Sequence, residues 1–507
     1  MVIKVIMLVV FFGIMIGVGF YARKQATDVN GFVLGGRSVG PWLTAFAYGT
    51  SYFSAVIFIG YAGQFGWKYG IASTWIGIGN AILGSLLAWV VLGRRTRLIT
   101  QKLDSRTMPE FFERRYNSKS MKIISSWIIF IFLIPYTASL YNGLSRLFGM
   151  AFDIDYKICV VAMAVLTGIY VIVGGYMATA INDFIQGIIM LFGIVAVIAS
   201  VLNGQGGFME AVSKMAQIPS DVPATMGQPG AFTSFFGPDP LNLLGVVILT
   251  SLGTWGLPQM IGKFYAIKDE KSINTGTVIS TLFAIVISGG CYFLGGFGRL
   301  FDSAEIYNAE TGAVVYDSII PSMLSKLPDI LIGIVVVLVL SASMSTLSSL
   351  VLTSSSTMTL DLLKDNIMKE MSEKKQIITM QILIVFFIVV SVVIALDPPT
   401  FIAQLMGISW GALAGAFLAP FLYGLYWKGV TRAGVWAGFI AGVGITVSNM
   451  FIGYIASPIN AGAAAMVAGL VIVPLVSLVT PKLKKEDVDE IFTCYEEKVV
   501  STKKRNL

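Results

Sequence analysis

The sequence has no histidine, only three cysteines and few charges. Of its 507 residues, 12% are Asp, Glu, Lys or Arg, about half the share found in an ordinary soluble domain. Without histidine there is no Ser-His-Asp catalysis, no His-ligated zinc or haem and no histidine proton relay. Cys159, Cys291 and Cys494 are too scattered for a disulfide framework or a CxxC metal pair. No nucleophile–base pair stands out, so an enzyme is not expected. The scarcity of charge accompanies 56% hydrophobic residues. Soluble globules could not hide so much apolar surface from water, whereas a bilayer can face it.

What is present confirms that direction. Apolar runs of ~20 residues recur along the chain, each long enough to cross a ~30 Å hydrocarbon core as a helix. They are continuous rather than alternating, which argues against a transmembrane β-barrel. The first run is followed by Arg23 and Lys24 with no small-residue cleavage site, so it reads as a retained helix. The pattern predicts an all-α integral membrane protein of about thirteen helices, over 2–21, 41–67, 71–93, 123–149, 156–176, 181–203, 240–266, 272–300, 328–360, 376–396, 400–427, 433–453 and 460–480.

Net charge is +7, and its placement matters more than its size. Lys and Arg gather in alternate connections: 94–122, Lys263/Lys268/Lys271, Lys364/Lys369/Lys374/Lys375, Lys428/Arg432, and the tail from Lys482 to Arg505. The connections 204–239 and 301–327 hold more acids than bases. Basic loops face the cytoplasm, which puts the N-terminus outside and the C-terminus inside. The excess charge then meets the anionic inner leaflet, and no nucleic-acid partner is expected.

Two helices carry matching oddities. Gly49-Thr50 lies mid-way along 41–67, and Gly253-Thr254, with Pro258 close behind, lies in 240–266. Gly and Pro weaken a helix, and interrupted helices at matching places in two halves point to a transporter site. An ordinary kink is the competing explanation. On 328–360, Ala342, Ser345, Thr346 and Ser349 share one face, continued by Thr353 and Ser356. Hydroxyl and carbonyl oxygens are hard ligands for a cation such as sodium, but such residues also serve close helix packing. Asp183 opens an apolar helix. It is either a functional intramembrane carboxylate or an acid favoured at a helix N-terminus on the rim.

Several stretches resemble the sodium:solute symporter family, and in particular its sodium/proline and pantothenate branch. Leu34-Gly35-Gly36-Arg37-Ser38-Val39-Gly40-Pro41 is similar to the segment that opens the family's core. Gly174-Gly175 followed by Asn182-Asp183-Phe184-Ile185-Gln186-Gly187 resembles its Gly-Gly…Thr-Asp-Phe-Ile-Gln-Gly element, with Asn182 for the usual Thr. Ala342 to Ser349 resembles its sodium-binding helix, and Tyr426 to Gly434 its Trp-Lys/Arg-x-x-Thr-x-x-Gly element.

The resemblance implies a leucine-transporter-type five-plus-five inverted repeat with one helix before it and two after. The chain then divides into 1–40, a first repeat 41–204, an extracellular loop 205–239, a second repeat 240–428, two peripheral helices 429–480 and a cytoplasmic tail 481–507. It implies Na+ as coupling ion, with a main site at Thr50, Phe53, Ala342, Ser345 and Thr346. A second sodium, used by some members, corresponds to Asp183, Ser345, Ser348 and Ser349. Family solute positions correspond to Tyr52, Phe53, Val56, Ile57, Tyr136, Thr250, Thr254, Trp255 and Gln259. The sodium/proline symporter carries an acid where this chain has Tyr52. Val56 and Ile57 cannot answer the hydroxyls of a sugar, and Tyr136 replaces the arginine that holds a sialic acid.

The expected activity is sodium-coupled symport of a small organic solute in the plasma membrane, an amino acid such as proline or a small carboxylic acid. An uncoupled channel or uniporter and a transporter-derived sensor are the alternatives. The partners expected are the solute, sodium and the bilayer, with no obligate protein partner evident.

Overall fold

A computed structural model describes residues 2–152, 154–397 and 401–500. The expected helix start at Thr400 and the tail residues Lys503, Lys504 and Arg505 lie outside them. Among the described residues there is no β-strand, only the isolated bridges Val39–Ile267 and Tyr307–Val314. Ten helices among the described residues are long and apolar enough to cross a membrane. Pro240–Trp255 and Pro258–Ala266, bent by 41° at their junction, are long and apolar enough only when taken together.

Two of the longest helical runs are each interrupted by a glycine in the left-handed region. Tyr156–Gly204 passes through Gly175, at φ 55° and ψ −146°. The run 56–102 passes through Gly70, at φ 62° and ψ −143°. Only glycine adopts such backbone without strain. A Cβ on Gly175 would also lie 2.8 Å from the Phe32 ring, and one on Gly70 2.2 Å from the Phe232 carbonyl oxygen. The break at Gly175 falls earlier than the expected gap at 177–180. Asp183 is therefore about two turns inside its helix rather than at its start.

Burial separates the centre from the rim. The most apolar window of 329–367 is 83% buried, against 22% for Val2–Ala22 and 28% for Glu373–Leu396. The hydroxyl-bearing Asp329–Thr357 helix is thus central, with the similarly buried Ile402–Tyr426, and is packed by Tyr156–Gly204, Lys119–Phe152, Glu373–Leu396, Val2–Ala22 and Pro41–Tyr52. The peripheral helices turn Val, Ile and Phe outward, as lipid allows. Where backbones touch, glycine is required: a Cβ on Gly66 would sit 1.9 Å from the Gly295 carbonyl oxygen, and one on Gly295 would sit 2.1 Å from that of Ala62.

The charged connections sort to two ends. At one end Arg94 pairs with Glu270 at 2.9 Å, Lys428 with Asp489 at 2.6 Å, and Arg432 donates to the Tyr116 carbonyl. At the other end Arg299 pairs with Asp221 at 2.7 Å. There Asp221, Asp239, Val314 and Tyr316 border an open cleft of ≈ 600 Å³.

Candidate ion and solute site

The first broken helix runs Pro41–Tyr52, leaves helical geometry at Phe53 (φ −103°, ψ 88°), and resumes as a π-helical turn at Val56–Tyr61. Ser54 restarts it: its Oγ accepts from the Val56 amide at 3.2 Å. The second break lies at Leu257, whose extended backbone (φ −81°, ψ 122°) precedes Pro258, as the residue before a proline prefers. Both Gly-Thr pairs sit one turn before their breaks, inside regular or 3₁₀ helix. Gly49 and Gly253 act by packing. A Cβ on Gly49 would meet the Phe283 ring at 2.5 Å, and one on Gly253 would meet the Trp410 ring at 2.5 Å.

The first break faces the hydroxyl stripe. Ser345 Oγ donates to the Thr50 carbonyl at 3.0 Å. Thr346 Oγ1 reaches the carbonyls of Thr50 at 3.3 Å, Ser51 at 3.4 Å and Ala342 at 3.1 Å. Thr50, Ala342, Ser345 and Thr346 are thus brought together, buried, with only oxygens presented. That donor set fits a small hard cation. Phe53 follows three residues after Thr50, its amide bonded to the Gly49 carbonyl at 3.0 Å, and neither the Ser345 nor the Thr346 hydroxyl bonds to it.

Asp183 is fully buried on the far side of Ser349. Neither of its carboxylate oxygens accepts a hydrogen bond. Its charge partner is Lys263, with Nζ 3.8 Å from Oδ2. The same ammonium donates to Ser349 Oγ at 2.9 Å and lies over the Tyr176 ring, 5.4 Å from its centroid. Ser349 Oγ in turn bonds Ser51 Oγ at 2.8 Å. Ser348 Oγ turns back onto the Ser345 carbonyl at 2.9 Å. A narrow cavity of ≈ 50 Å³ is lined by Gln259, Lys263, Tyr176, Ser349, Thr353 and Arg106, room for a few water molecules.

Lys263 was grouped above with the basic connection. It is 3% exposed and on the second half of a broken helix, and nothing in the charge pattern separates it from Lys268 and Lys271.

Between the two breaks, Tyr52 donates to the Thr250 carbonyl at 2.6 Å and stacks on Phe53 with ring centroids 4.2 Å apart. Trp410 stacks on Tyr52 at 6.2 Å and meets Tyr136 edge-on at 5.9 Å. Val56 and Ile57 are buried nearby in sequence. Thr254 Oγ1 and Tyr48 Oη both donate to the Gly84 carbonyl, at 3.1 and 2.6 Å, and Trp255 Nε1 donates to that of Leu83 at 2.9 Å. Thr250 and Ser251 converge on Asn80 Oδ1. Gln259 does not join this group; it lines the narrow cavity, both amide atoms unpartnered. Trp410 and Asn80 were not foreseen. Trp410 sits in a largely apolar run with no other polar signal than Ser409 and Gln404, so little beyond its size marked it.

The model of the sodium:solute symporter family matches residues 32–442. The chain belongs to the sodium:solute symporter family. It is 32% identical over 500 residues to the sodium/proline symporter of Staphylococcus aureus strain JH9, covering 95% of this chain and 93% of the relative. In fold, this family member is similar to a Na+-coupled sialic acid symporter in a substrate-bound outward-open state, with TM-score 0.74, 15% identity, and 95% and 99% of the two chains covered. It is also similar to a nucleobase-cation-symport-1 family transporter in a closed conformation, with TM-score 0.55, 13% identity, and 91% and 98% covered. The symporter is therefore a multi-pass membrane transporter that uses Na+ as coupling ion, and not an enzyme.

Proposed function

We propose that this symporter imports a small, partly apolar amino or carboxylic acid, proline foremost, with sodium held at Thr50, Phe53, Ala342, Ser345 and Thr346. The observation that carries the reading is the convergence of the Ser345 and Thr346 hydroxyls on the Thr50 carbonyl beside the first break. There an incoming cation exchanges intramolecular hydrogen bonds for oxygen ligation. It thereby ties the broken helix to the central Asp329–Thr357 helix. Asp183, Ser348 and Ser349 form a second cation-binding group next to it.

The solute occupies the space between the breaks, lined by Tyr52, Phe53, Val56, Ile57, Tyr136, Thr250, Thr254 and Trp255. Gln259 meets it on the way to the narrow cavity. An aromatic box of Tyr52, Phe53, Tyr136 and Trp410 suits a small apolar ring. A carboxylate is suited by helix-break amides, where the dipole favours negative charge. The identity to a sodium/proline symporter supports the same class.

Dividing the two long runs at Gly70 and Gly175, and joining each broken helix, yields thirteen spans. We read them as one helix, two five-helix repeats over 41–204 and 240–428, and two peripheral helices, with 205–239 extracellular. The clustering of 94–122, Lys268 and Lys271, 428–432 and the tail from Lys482 to Lys498 at one end supports a cytoplasmic C-terminus and an outer N-terminus. Alternating access then opens either the ≈ 600 Å³ cleft or the narrow cavity.

The test is uptake into proteoliposomes of labelled proline, other small amino acids and monocarboxylates, with and without an inward sodium gradient. Sodium-driven accumulation of one of these is expected. Accumulation of none of them overturns the solute class, and equal uptake without sodium overturns the coupling site.

A further inference from the structure

The buried carboxylate of Asp183 has its counter-charge already, on this chain. We propose that the Lys263 ammonium is a tethered second cation, holding the ground between Asp183 and Ser349, so that one sodium ion binds and not two. The inference rests on the sodium site proposed above, and refines its stoichiometry.

Three observations carry it. Asp183 is 0% exposed and neither oxygen has a hydrogen-bond donor. A carboxylate in such surroundings requires one positive charge close by. Lys263 Nζ supplies it at 3.8 Å and is itself 3% exposed. Adding a sodium ion beside this pair would leave a buried net positive charge, which the low dielectric penalises.

The ammonium also uses the ligand a second ion would need. It donates to Ser349 Oγ at 2.9 Å, and Ser349 is engaged on its other side by Ser51 Oγ at 2.8 Å. Ser51 lends its carbonyl to Thr346 at 3.4 Å. Lys263, Ser349, Ser51 and Thr346 thus form one polar chain from the fixed cation to the sodium ligands.

Lys263 is carried by Pro258–Ala266, the half-helix after the second break. Its position is set by that segment, so the cation arrives with the protein's own movement and not from solution. The narrow cavity beside it, with the unpartnered Gln259 amide, gives the ammonium polar surroundings when the half-helix shifts.

The test counts sodium ions by equilibrium binding of 22Na+ to the purified full-length protein. One ion per protein is expected for the wild type and for Lys263→Arg. Lys263→Ala vacates the Asp183 site, so it binds two, and its melting temperature rises more steeply with sodium concentration than that of the wild type. The double variant Lys263→Met/Asp183→Asn carries neither charge and binds one. A wild-type count of two overturns the proposal, as does a count of one in folded Lys263→Ala or two in the double variant. Should Lys263→Ala not fold, the wild-type and double-variant counts decide the matter. A wild-type count of zero overturns instead the sodium site itself, and the tethered-cation proposal with it.

Discussion

The Ser345 hydroxyl lies 3.0 Å from the Thr50 carbonyl, joining two helices whose residues are far apart in the chain. Thr346 approaches the same oxygen at 3.3 Å. If these are sodium ligands, each hydroxyl contributes as a hydrogen bond to a charged group does, about 1.5–3 kcal/mol. Ser345→Ala or Thr346→Ala should therefore raise the sodium concentration for half-maximal uptake by roughly tenfold or more. Solute affinity at saturating sodium should change little. Sodium titrations of uptake check this, and an unchanged half-saturation in both variants removes the assignment.

A second prediction concerns packing. Gly66 and Gly295 allow two backbones to touch, with a Cβ at position 66 landing 1.9 Å from a carbonyl oxygen. Backbone cannot swing aside as a side-chain tip can, so Gly66→Ala should destabilise by ~3 kcal/mol or more. Gly444→Ala is the control, because nothing lies within 4 Å of its added carbon. Thermal unfolding in detergent separates the two, and equal melting temperatures would contradict the close approach.

Asp317 gives a pH prediction outside the spans. Burial lifts its carboxyl from the ordinary 3.8 to about 6, partly offset by Arg146 and by the Ile402 amide that donates to Oδ2. The folded value is above the unfolded one. Below about pH 4 both states are protonated and the folded state bears no penalty. As pH climbs from about 4 to 6 the unfolded chain releases its proton first, so stability falls by ~3 kcal/mol and then levels off. Asp317→Asn keeps the acceptor oxygen and removes the charge. It should melt higher than the wild type at pH 7 and match it near pH 4. Parallel melting curves across that range would contradict this.

Much of the architecture was legible because a bilayer imposes simple rules. The apolar runs located the helices, and the one-face spacing of Ala342, Ser345 and Thr346 located the stripe that meets Thr50. Other features depend on where a chain turns. For Asp183 the sequence leaves open an intramembrane carboxylate or a rim acid, because the break at Gly175 that decides between them depends on a positive-φ glycine and not on polarity. Lys263 looked like part of a cytoplasmic basic cluster. Only the break at Leu257, which makes Pro258–Ala266 a helix of its own, carries it into the core. Gly49 and Gly253 looked like weak points, whereas each makes room for an aromatic ring from another helix. Such contacts join residues far apart in sequence, and no local pattern records them.

The last prediction separates solute from sodium. Thr254 is 1% exposed, and its hydroxyl bonds the carbonyls of Gly84 at 3.1 Å and Ser251 at 3.0 Å. Tyr48 Oη shares the Gly84 oxygen at 2.6 Å, and Trp255 Nε1 holds Leu83 one residue away. The second broken helix is thus latched to the helix at 83–84, with Tyr52 closing against Thr250 beside it. An indole at position 254 cannot be housed among these contacts and would displace the solute proposed to lie between the breaks. Thr254→Trp should then abolish solute uptake and solute binding. The proposed sodium ligands lie on Asp329–Thr357 and the first break, not on the second broken helix, so sodium binding should largely persist. Thr353 is on the same stripe and lines the narrow cavity. A cysteine placed there, in a background lacking Cys159, Cys291 and Cys494, should remain protected from thiol reagents by sodium in the Thr254→Trp protein. Normal uptake by Thr254→Trp would place the solute elsewhere. Loss of sodium protection alongside loss of uptake would mean that the two sites are one.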